Sequence, residues 1–152
     1  MIKPVFSKKL TDDEKTLREE VFVIEQGFAD EFDEHDDTGW HLVLYYNEFP
    51  IACARFYPED PETFHIGRVA VKKELRGKKI GTYLLRFVET KIRELGGRWA
   101  TISSQLDKKG FYEKCGYHVM GEGEITYEQN CPHIGMAKLL IKKKGYKSRT
   151  QY

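Results

Sequence analysis

Apolar side chains recur at helical spacing over residues 80–95, and charged side chains occupy the positions between them. This period predicts an amphipathic helix that buries one face. The pair Gly96-Gly97 supplies a residue that can adopt the left-handed conformation with which helices end. The predicted buried stripe comprises Ile80, Leu84, Phe87, Val88, Ile92 and Leu95, and the predicted solvent face carries Arg86, Glu89, Arg93 and Glu94.

Two shorter helices are predicted from their end signals. Thr11 and Glu14 form a capping box that begins the first helix, and Gly27 ends it. A short helix is expected from Asp107, as its N-cap, to Lys114. The buried stripe of the first helix would comprise Leu17, Val21 and Ile24, and Gly116 would end the short helix.

Segments rich in β-branched and aromatic residues predict strands between and around these helices. A hairpin is expected where two such segments flank a short turn at 47–50. The predicted strands cover residues 2–6, 41–46, 51–57, 63–71, 98–103, 117–121 and 133–140.

The segment from Arg76 to Gly81 lies between a predicted strand and the start of the long helix. A strand end, a glycine-bearing turn and a helix N-terminus direct unpaired N–H groups toward one point, where the helix dipole favours an anion. The segment therefore predicts a site for a phosphorylated cofactor, and the alternative is an ordinary turn with solvated lysines. The chain contains neither a Walker-type loop nor a GxGxxG fingerprint.

This segment resembles the acyl-CoA loop of the GNAT superfamily of N-acetyltransferases, whose pattern is Arg or Gln, two residues, Gly, one residue, then Gly or Ala. Arg76 and Gly81 match the pattern, whereas Lys79 stands where the family usually has its first glycine. Other segments are similar to the ElaA-like branch of that superfamily: residues 18–27, the acidic stretch that leads to His41, Ser104-Gln105, residues 111–117 and residues 132–136.

The resemblance implies an α/β (α+β) protein with the GNAT fold, a mixed and largely antiparallel sheet flanked by helices and splayed between its fourth and fifth strands. Residues 1–141 would form this single domain, and residues 142–152 would be a basic tail. The implied function is an acetyl-CoA-dependent N-acetyltransferase, a cytoplasmic enzyme that moves the acetyl group directly from the thioester to a primary amine. The competing hypothesis is a non-catalytic module that binds or senses acyl-CoA.

The resemblance also implies roles for individual residues. Tyr112 would donate a proton to the CoA sulfur, and backbone N–H groups of the fourth strand would bind the thioester carbonyl. The residues expected to contact acetyl-CoA are Val69, Ala70, Val71, Arg76, Gly77, Lys78, Lys79, Ile80, Gly81 and Gln105.

Six carboxylates lie within the eight positions 30–37. Such a loop attracts a cationic amine and is expected to form the rim of the acceptor site, although a solvated loop or a hard-metal site without EF-hand spacing would look alike. Acceptor contacts are assigned to Gln26, Glu31 and Asp33. His41 is the first choice for the general base, ahead of His65, His133, Glu25 and Glu31. Arg18 is expected to face the neighbouring acidic loop, and the alternative for Gln26 and Arg18 is a structural role, such as a buried ion pair that holds this loop.

The composition of the chain narrows the range of expected binding partners. Twenty-five basic and twenty-four acidic residues nearly cancel, which argues against nucleic acid, and no apolar stretch predicts a signal peptide or a membrane span. Three widely spaced cysteines suggest neither a disulfide framework nor a zinc site. A small-molecule or peptide amine is the expected partner, no metal is expected, and the last strands of the family suggest a homodimer.

Overall fold

Eight strands form one mixed sheet in this computed structural model, which describes residues 1–29 and 32–140. The predicted basic tail and Glu31 lie outside the described residues. The strands are β1 (Ile2–Ser7), β2 (Trp40–Tyr46), β3 (Phe49–Asp60), β4 (Thr63–Val71), β5 (Trp99–Gln105), β6 (His118–Val119), β7 (Ile125–Glu128) and β8 (Cys131–Leu139). The helices are α1 (Asp12–Arg18), α2 (His35–Thr38), α3 (Ile80–Glu94) and α4 (Lys109–Lys114), with a π-helical segment at Glu19–Glu25 and 3₁₀ turns at Lys73–Leu75 and Leu106–Lys108.

The sheet opens between β4 and β5. Its strand order is β1-β2-β3-β4-β5-β8-β6, with β7 beside β8, and β4–β5 is the parallel pair among antiparallel neighbours. Pairing between β4 and β5 stops at Ile66 and Ile102. Beyond that point β4 remains paired with β3 up to Val71, and β5 with β8 up to Gln105. The splay predicted between the fourth and fifth strands is therefore confirmed.

A β-bulge in β4 accompanies the opening. The register between β3 and β4 shifts between Cys53 and Arg55, and Arg68 on the facing stretch has a φ of 52°. A bulge increases local twist and bends its strand, so it turns the last residues of β4 away from β5.

Helices cover both faces of the sheet. The helix α3 packs on one face, where Leu84, Val88 and Ile92 join the main core. On the other face, Leu17, Val21 and Phe22 form a second core with Val43, Cys53 and Ala70. No helix in the described ranges is long and apolar enough to cross a membrane.

The first helix begins as predicted, but its second half differs. Thr11 accepts the N–H of Glu14 at 3.3 Å. From Glu19 the backbone winds as a π-helix, whose wider turns rotate later side chains out of the α-helical phase. Ile24 is consequently 78% exposed, so its predicted burial was wrong.

Further local predictions need correction. Glu89 is 4% exposed instead of facing solvent, because its carboxylate accepts hydrogen bonds from Tyr117 and Lys138 beneath α3. Leu95 is 37% exposed, since it follows the last residue of α3. Asp107 lies inside a 3₁₀ turn, and the N-cap of α4 is Lys108. The strand β7 was absent from the sequence prediction.

Candidate functional site

A cavity of about 990 Å³ occupies the opening between β4 and β5. Its wall is formed by both strands, the start of α3, the helix α4 and the end of the π-helical segment. Most of the predicted site residues line it: Gln26, Asp33, Val69, Ala70, Val71, Arg76, Gly77, Lys79, Ile80, Gly81, Gln105 and Tyr112. His41 and Lys78 do not belong to this lining.

The N-terminus of α3 opens onto the cavity. Its first backbone bond runs from the N–H of Tyr83 to the carbonyl of Lys79. The N–H groups of Ile80, Gly81 and Thr82 therefore have no backbone acceptor among the described residues, and they can bind an anion.

Lys79 is the N-cap of α3 and has a φ of 67°, in the left-handed region. Glycine adopts this conformation without strain, whereas a side chain with a Cβ adopts it at a cost. The sequence pattern placed a glycine of the GNAT loop at this position, and the backbone explains why: the turn requires a positive φ there.

Gly81 has a packing role. A Cβ at this position would lie 3.0 Å from the ring of Phe111 on α4. The glycine thus lets α4 approach the first turn of α3, and this contact brings the following residue, Tyr112, to the cavity wall.

Arg76 is anchored at the cavity edge. Its Nε donates to the carbonyl of Val71 at 3.1 Å, and its two terminal nitrogens donate to the carboxylate of Glu25. The side-chain hydrogen bond with Arg76 holds the pKa of Glu25 below 4.5. Arg76 therefore links the loop before α3 to the π-helical segment.

Tyr112 contributes a phenol to the cavity. The residue is 8% exposed, and burial raises the pKa of its hydroxyl well above 10. No hydrogen-bond partner contacts that oxygen within the part of the chain that the structure describes. Its O–H is therefore protonated at physiological pH and available to a molecule in the cavity.

Val69, Ala70 and Val71 lie on β4 beyond its last pair with β5. Backbone groups that would otherwise bond to β5 face the cavity along this stretch, and they can pair with an extended ligand. Gln105 lies on the opposite wall, at the end of β5, where its Nε2 donates to Gln26 Oε1 at 2.9 Å.

His41 lies away from the cavity and is 1% exposed. Its Nδ1 lies 3.0 Å from Glu14 Oε2 and its Nε2 lies 2.9 Å from the carbonyl of Asp36. Both partners are acceptors, so this geometry favours the charged imidazole, in which both ring nitrogens donate. Burial opposes this charge, but Glu14 and Asp36 outweigh it and raise the pKa of His41 above 6.5. The assignment of His41 as general base does not fit this geometry.

Arg18 completes the cluster around His41. Its guanidinium contacts Glu14 at 2.9 Å and Asp36 at 2.6 Å, and all three residues are buried. Of the two sequence alternatives for Arg18, the structure selects the buried ion pair. Glu14, Asp36 and His41 could each offer a ligand atom within 4.8 Å of one another, but the guanidinium of Arg18 already contacts both carboxylates.

Asp33 lies at the cavity edge, where its carboxylate contacts Arg55 at 2.7 Å and Arg68 at 3.1 Å. Two guanidinium groups thus compensate the acidic residue that was expected to attract an amine. The acidic loop therefore also has a structural role, since Asp36 forms ion pairs with Arg18 and Arg55.

The cavity wall also contains residues that the sequence did not single out, among them Arg55, Ser103 and Glu128. Ser103 donates to Glu128 Oε2 at 3.0 Å, which holds this carboxylate at the wall. Glu128 belongs to β7, a strand of four exposed residues that the sequence analysis did not predict. His65 and His133, which the sequence offered only as second choices, both line the cavity.

Comparison with known proteins agrees with this architecture. Residues 7–117 match the model of the Acetyltransferase (GNAT) family. ElaA of Escherichia coli is 34% identical over 131 residues, which cover 82% of this chain and 84% of the relative. YjcF of Bacillus subtilis, described as an uncharacterized N-acetyltransferase, is 31% identical over 124 residues, covering 80% of this chain and 87% of the relative.

Solved structures give the same result. The crystal structure of E. coli ElaA superposes with a TM-score of 0.77 at 30% identity and covers 91% of this chain and 99% of its own. A GNAT family acetyltransferase from Elizabethkingia anophelis, solved with acetyl-CoA bound, shares the fold with a TM-score of 0.66 at 20% identity, over 91% of this chain and 97% of its own. The chain is therefore an acetyltransferase that belongs to the GNAT family.

Proposed function

We propose that this protein uses acetyl-CoA to acetylate a primary amine, by direct transfer from the thioester. The observation that carries the proposal is the convergence of three groups on one cavity. A helix N-terminus suits phosphates, an unpaired strand edge suits the pantetheine arm and the carbonyl, and the phenol of Tyr112 suits the sulfur. The acetyl-CoA bound to the Elizabethkingia acetyltransferase of the same fold supports this assignment.

The diphosphate would lie at the start of α3. The free N–H groups of Ile80, Gly81 and Thr82 would bind its oxygens, and the helix dipole adds to their attraction. The side chain of Lys79 adds a positive charge at the same place. The backbone of Val69–Val71 would then bind the pantetheine arm and polarise the thioester carbonyl, which stabilises the oxyanion formed on attack.

His65 is our choice for the general base in place of His41. It lies on β4 immediately before the splay and lines the cavity. Burial lowers the pKa of His65 below 6.5, so its ring is neutral at physiological pH and can accept a proton. His133 is less suitable, because its Nδ1 lies 2.9 Å from the carbonyl of Cys131 and its Nε2 is directed at Glu128, 3.8 Å away.

The proposed reaction moves two protons from the acceptor. The ammonium gives one proton to His65, and the neutral amine attacks the carbonyl carbon. As the tetrahedral intermediate collapses, the C–S bond breaks and Tyr112 donates its hydrogen to the thiolate. The proton lost by the product nitrogen restores Tyr112, and His65 releases the first proton to solvent. The net products are the amide, CoA and one proton.

The variant Tyr112→Phe tests the proposal. Acetyl-CoA should bind within about twofold of the parent in calorimetry, whereas kcat on a panel of amines and peptides should fall about 100-fold, because a positioned acid contributes about 10²–10⁴. Tyr117→Phe is the matched control. The Tyr117 hydroxyl donates to Glu89 at 2.8 Å, and neither residue lines the cavity.

Unchanged kcat in Tyr112→Phe would contradict the assigned role of the phenol. A parent that binds acetyl-CoA and acetylates none of the amines would instead support the non-catalytic acyl-CoA module. The cytoplasmic location and the homodimer stay predictions that these experiments leave untouched.

A further inference from the structure

His65, Thr101 and Glu59 form a chain of polar contacts behind the cavity wall. His65 on β4 pairs with Thr101 on β5 near the end of their parallel ladder. The His65 Nδ1 lies 2.8 Å from Thr101 Oγ1, and this hydroxyl donates to Glu59 Oε1 at 2.9 Å. Glu59 belongs to β3, so three neighbouring strands hold the chain of contacts in place.

The protons of this chain can be assigned. A threonine hydroxyl carries one hydrogen, and an ionised carboxylate can only accept. Because Thr101 gives its hydrogen to Glu59, its oxygen must accept from His65, so Nδ1 carries a proton. Glu59 Oε2 also lies 3.7 Å from Nδ1, and its negative charge favours a proton there.

The lone pair of neutral His65 therefore lies on Nε2. No described residue makes a hydrogen bond to that nitrogen, and His65 lines the cavity. We infer that Glu59 and Thr101 are positioning residues, which hold His65 in the Nδ1–H tautomer so that Nε2 takes the proton of the acceptor ammonium. The identity of the proton donor rests on the proposed function, whereas the assignment of the His65 tautomer does not depend on it.

Charged and titratable groups from every neighbouring element act on His65. Burial is the largest influence and lowers the pKa of His65; Glu59 on β3 and Glu128 on β7 raise it, and Arg55 on β3 and His35 on α2 lower it. The ring of Tyr57 lies 5.5 Å from the imidazole. After proton uptake at Nε2, the imidazolium faces Glu59 through Thr101, which stabilises the charged form without exposing it to solvent.

Imidazole nitrogen NMR of the full-length protein measures the tautomer directly. At neutral pH, His65 in the parent and in Thr101→Ser should show a protonated Nδ1 and an unprotonated Nε2. In Thr101→Val, which keeps the shape but removes the hydroxyl, the Nε2–H form should appear. The signals vanish in His65→Gln, which assigns them, and those of the other histidines report on the fold. A parent with Nε2–H, or an unchanged tautomer in Thr101→Val, would overturn the inference.

Kinetics test the consequence for catalysis. With an amine that the parent acetylates, kcat should fall about 100-fold or more in His65→Gln and about tenfold in Thr101→Val, while Thr101→Ser stays near the parent. The KM for acetyl-CoA should not change. In Glu59→Gln, the acidic limb of kcat/KM should move to lower pH, because a carboxylate that raises the pKa of His65 is lost.

The two proposals fail in different ways. A Thr101→Val enzyme with the parent's kcat and pH profile would contradict the positioning role of Thr101 and Glu59, but it would leave the proposed acetyltransferase activity unaffected. A parent that acetylates no amine would overturn the proposed function, and the NMR experiment would still decide whether Thr101 and Glu59 set the tautomer.

Discussion

Gln105 Nε2 donates a hydrogen bond to Gln26 Oε1 at 2.9 Å, although 79 positions separate the two residues. The bond joins the end of β5 to the end of the π-helical segment, on the side of the cavity where β5 no longer contacts β4. The sequence assigned Gln105 to the cofactor and Gln26 to the acceptor. Their contact indicates that a hydrogen bond between the two sides of the cavity stabilises its shape.

This contact predicts an energetic coupling. Gln26→Ala and Gln105→Ala should each lower the free energy of unfolding by about 1 kcal/mol, the usual net value of a hydrogen bond. The double variant should lose less than the sum, because the second substitution removes a bond that is already broken. Urea unfolding of the four proteins measures the coupling, and simple additivity would show that the two amides act independently.

Lys79→Gly should stabilise the protein by about 1 kcal/mol, because Lys79 holds a left-handed φ that glycine adopts freely. It should bind CoA about as tightly as the parent at moderate salt, with a weaker salt dependence, since the backbone donors remain and one charge is lost. Thermal unfolding and calorimetry at several salt concentrations measure both effects.

Lys78→Gly is the matched control for this loop. Lys78 is exposed, does not line the cavity and has no left-handed backbone, so its replacement by glycine should not stabilise the protein. A collapse of CoA binding in Lys79→Gly would mean that the lysine side chain itself holds the phosphate.

Glu89→Ala should destabilise the protein by about 2–3 kcal/mol, because it leaves the buried Tyr117 hydroxyl without its acceptor. The Lys138 ammonium also loses its carboxylate partner and keeps only the carbonyl of Cys115, at 2.9 Å. Glu94→Ala on the same helix should cost about 0.5 kcal/mol or less, since the Glu94 side chain is 63% exposed. Denaturant unfolding measures both, and equal effects would contradict the structural role of Glu89.

Stability should decline as the pH rises above 6.5, through the folded-state pKa of His41. A raised pKa in the folded state means that the charged imidazole stabilises the protein fully below 6.5, the ordinary value, and that this contribution is lost when the proton leaves. His65 has the opposite shift and acts below 6.5, so the two effects are separable.

The measurement is the free energy of unfolding at pH values from 6.5 to 8.5, for the parent and His41→Gln. The variant should show a flatter profile in this range because it lacks the titrating group. An equal slope in both proteins would contradict the charged state assigned to His41.

Local patterns predicted most of the elements well. The period of α3, the capping contact of Thr11 and the strand at 63–71 all follow from side chains that lie near one another in the chain. Predictions failed where a distant partner decided the outcome. Glu89 is polar and belongs on a surface by its spacing, but Tyr117 and Lys138 make its burial favourable.

The residues of the candidate site likewise fall into those that local sequence predicts and those that distant contacts decide. The loop from Arg76 to Gly81 and the position of Tyr112 could be predicted, because a motif of adjacent residues carries them. Sequence alone gave no means of ranking the histidines by their access to the cavity, because burial and hydrogen-bond partners depend on residues that are distant in the chain. Packing of α1 and α2 over the sheet encloses His41 between two acceptors, whereas the splay opens the cavity to His65.

The sequence by itself determined the likeness of the segment from Arg76 to Gly81 to the GNAT loop, the order of the main elements and the membership in an acetyltransferase family, since these depend on spacing along the chain. Only the tertiary structure decided which ionisable groups are charged, buried or open to the cavity. Protonation depends on the groups that surround a side chain in space, and those that surround His65 come from β3, β5, β7 and α2.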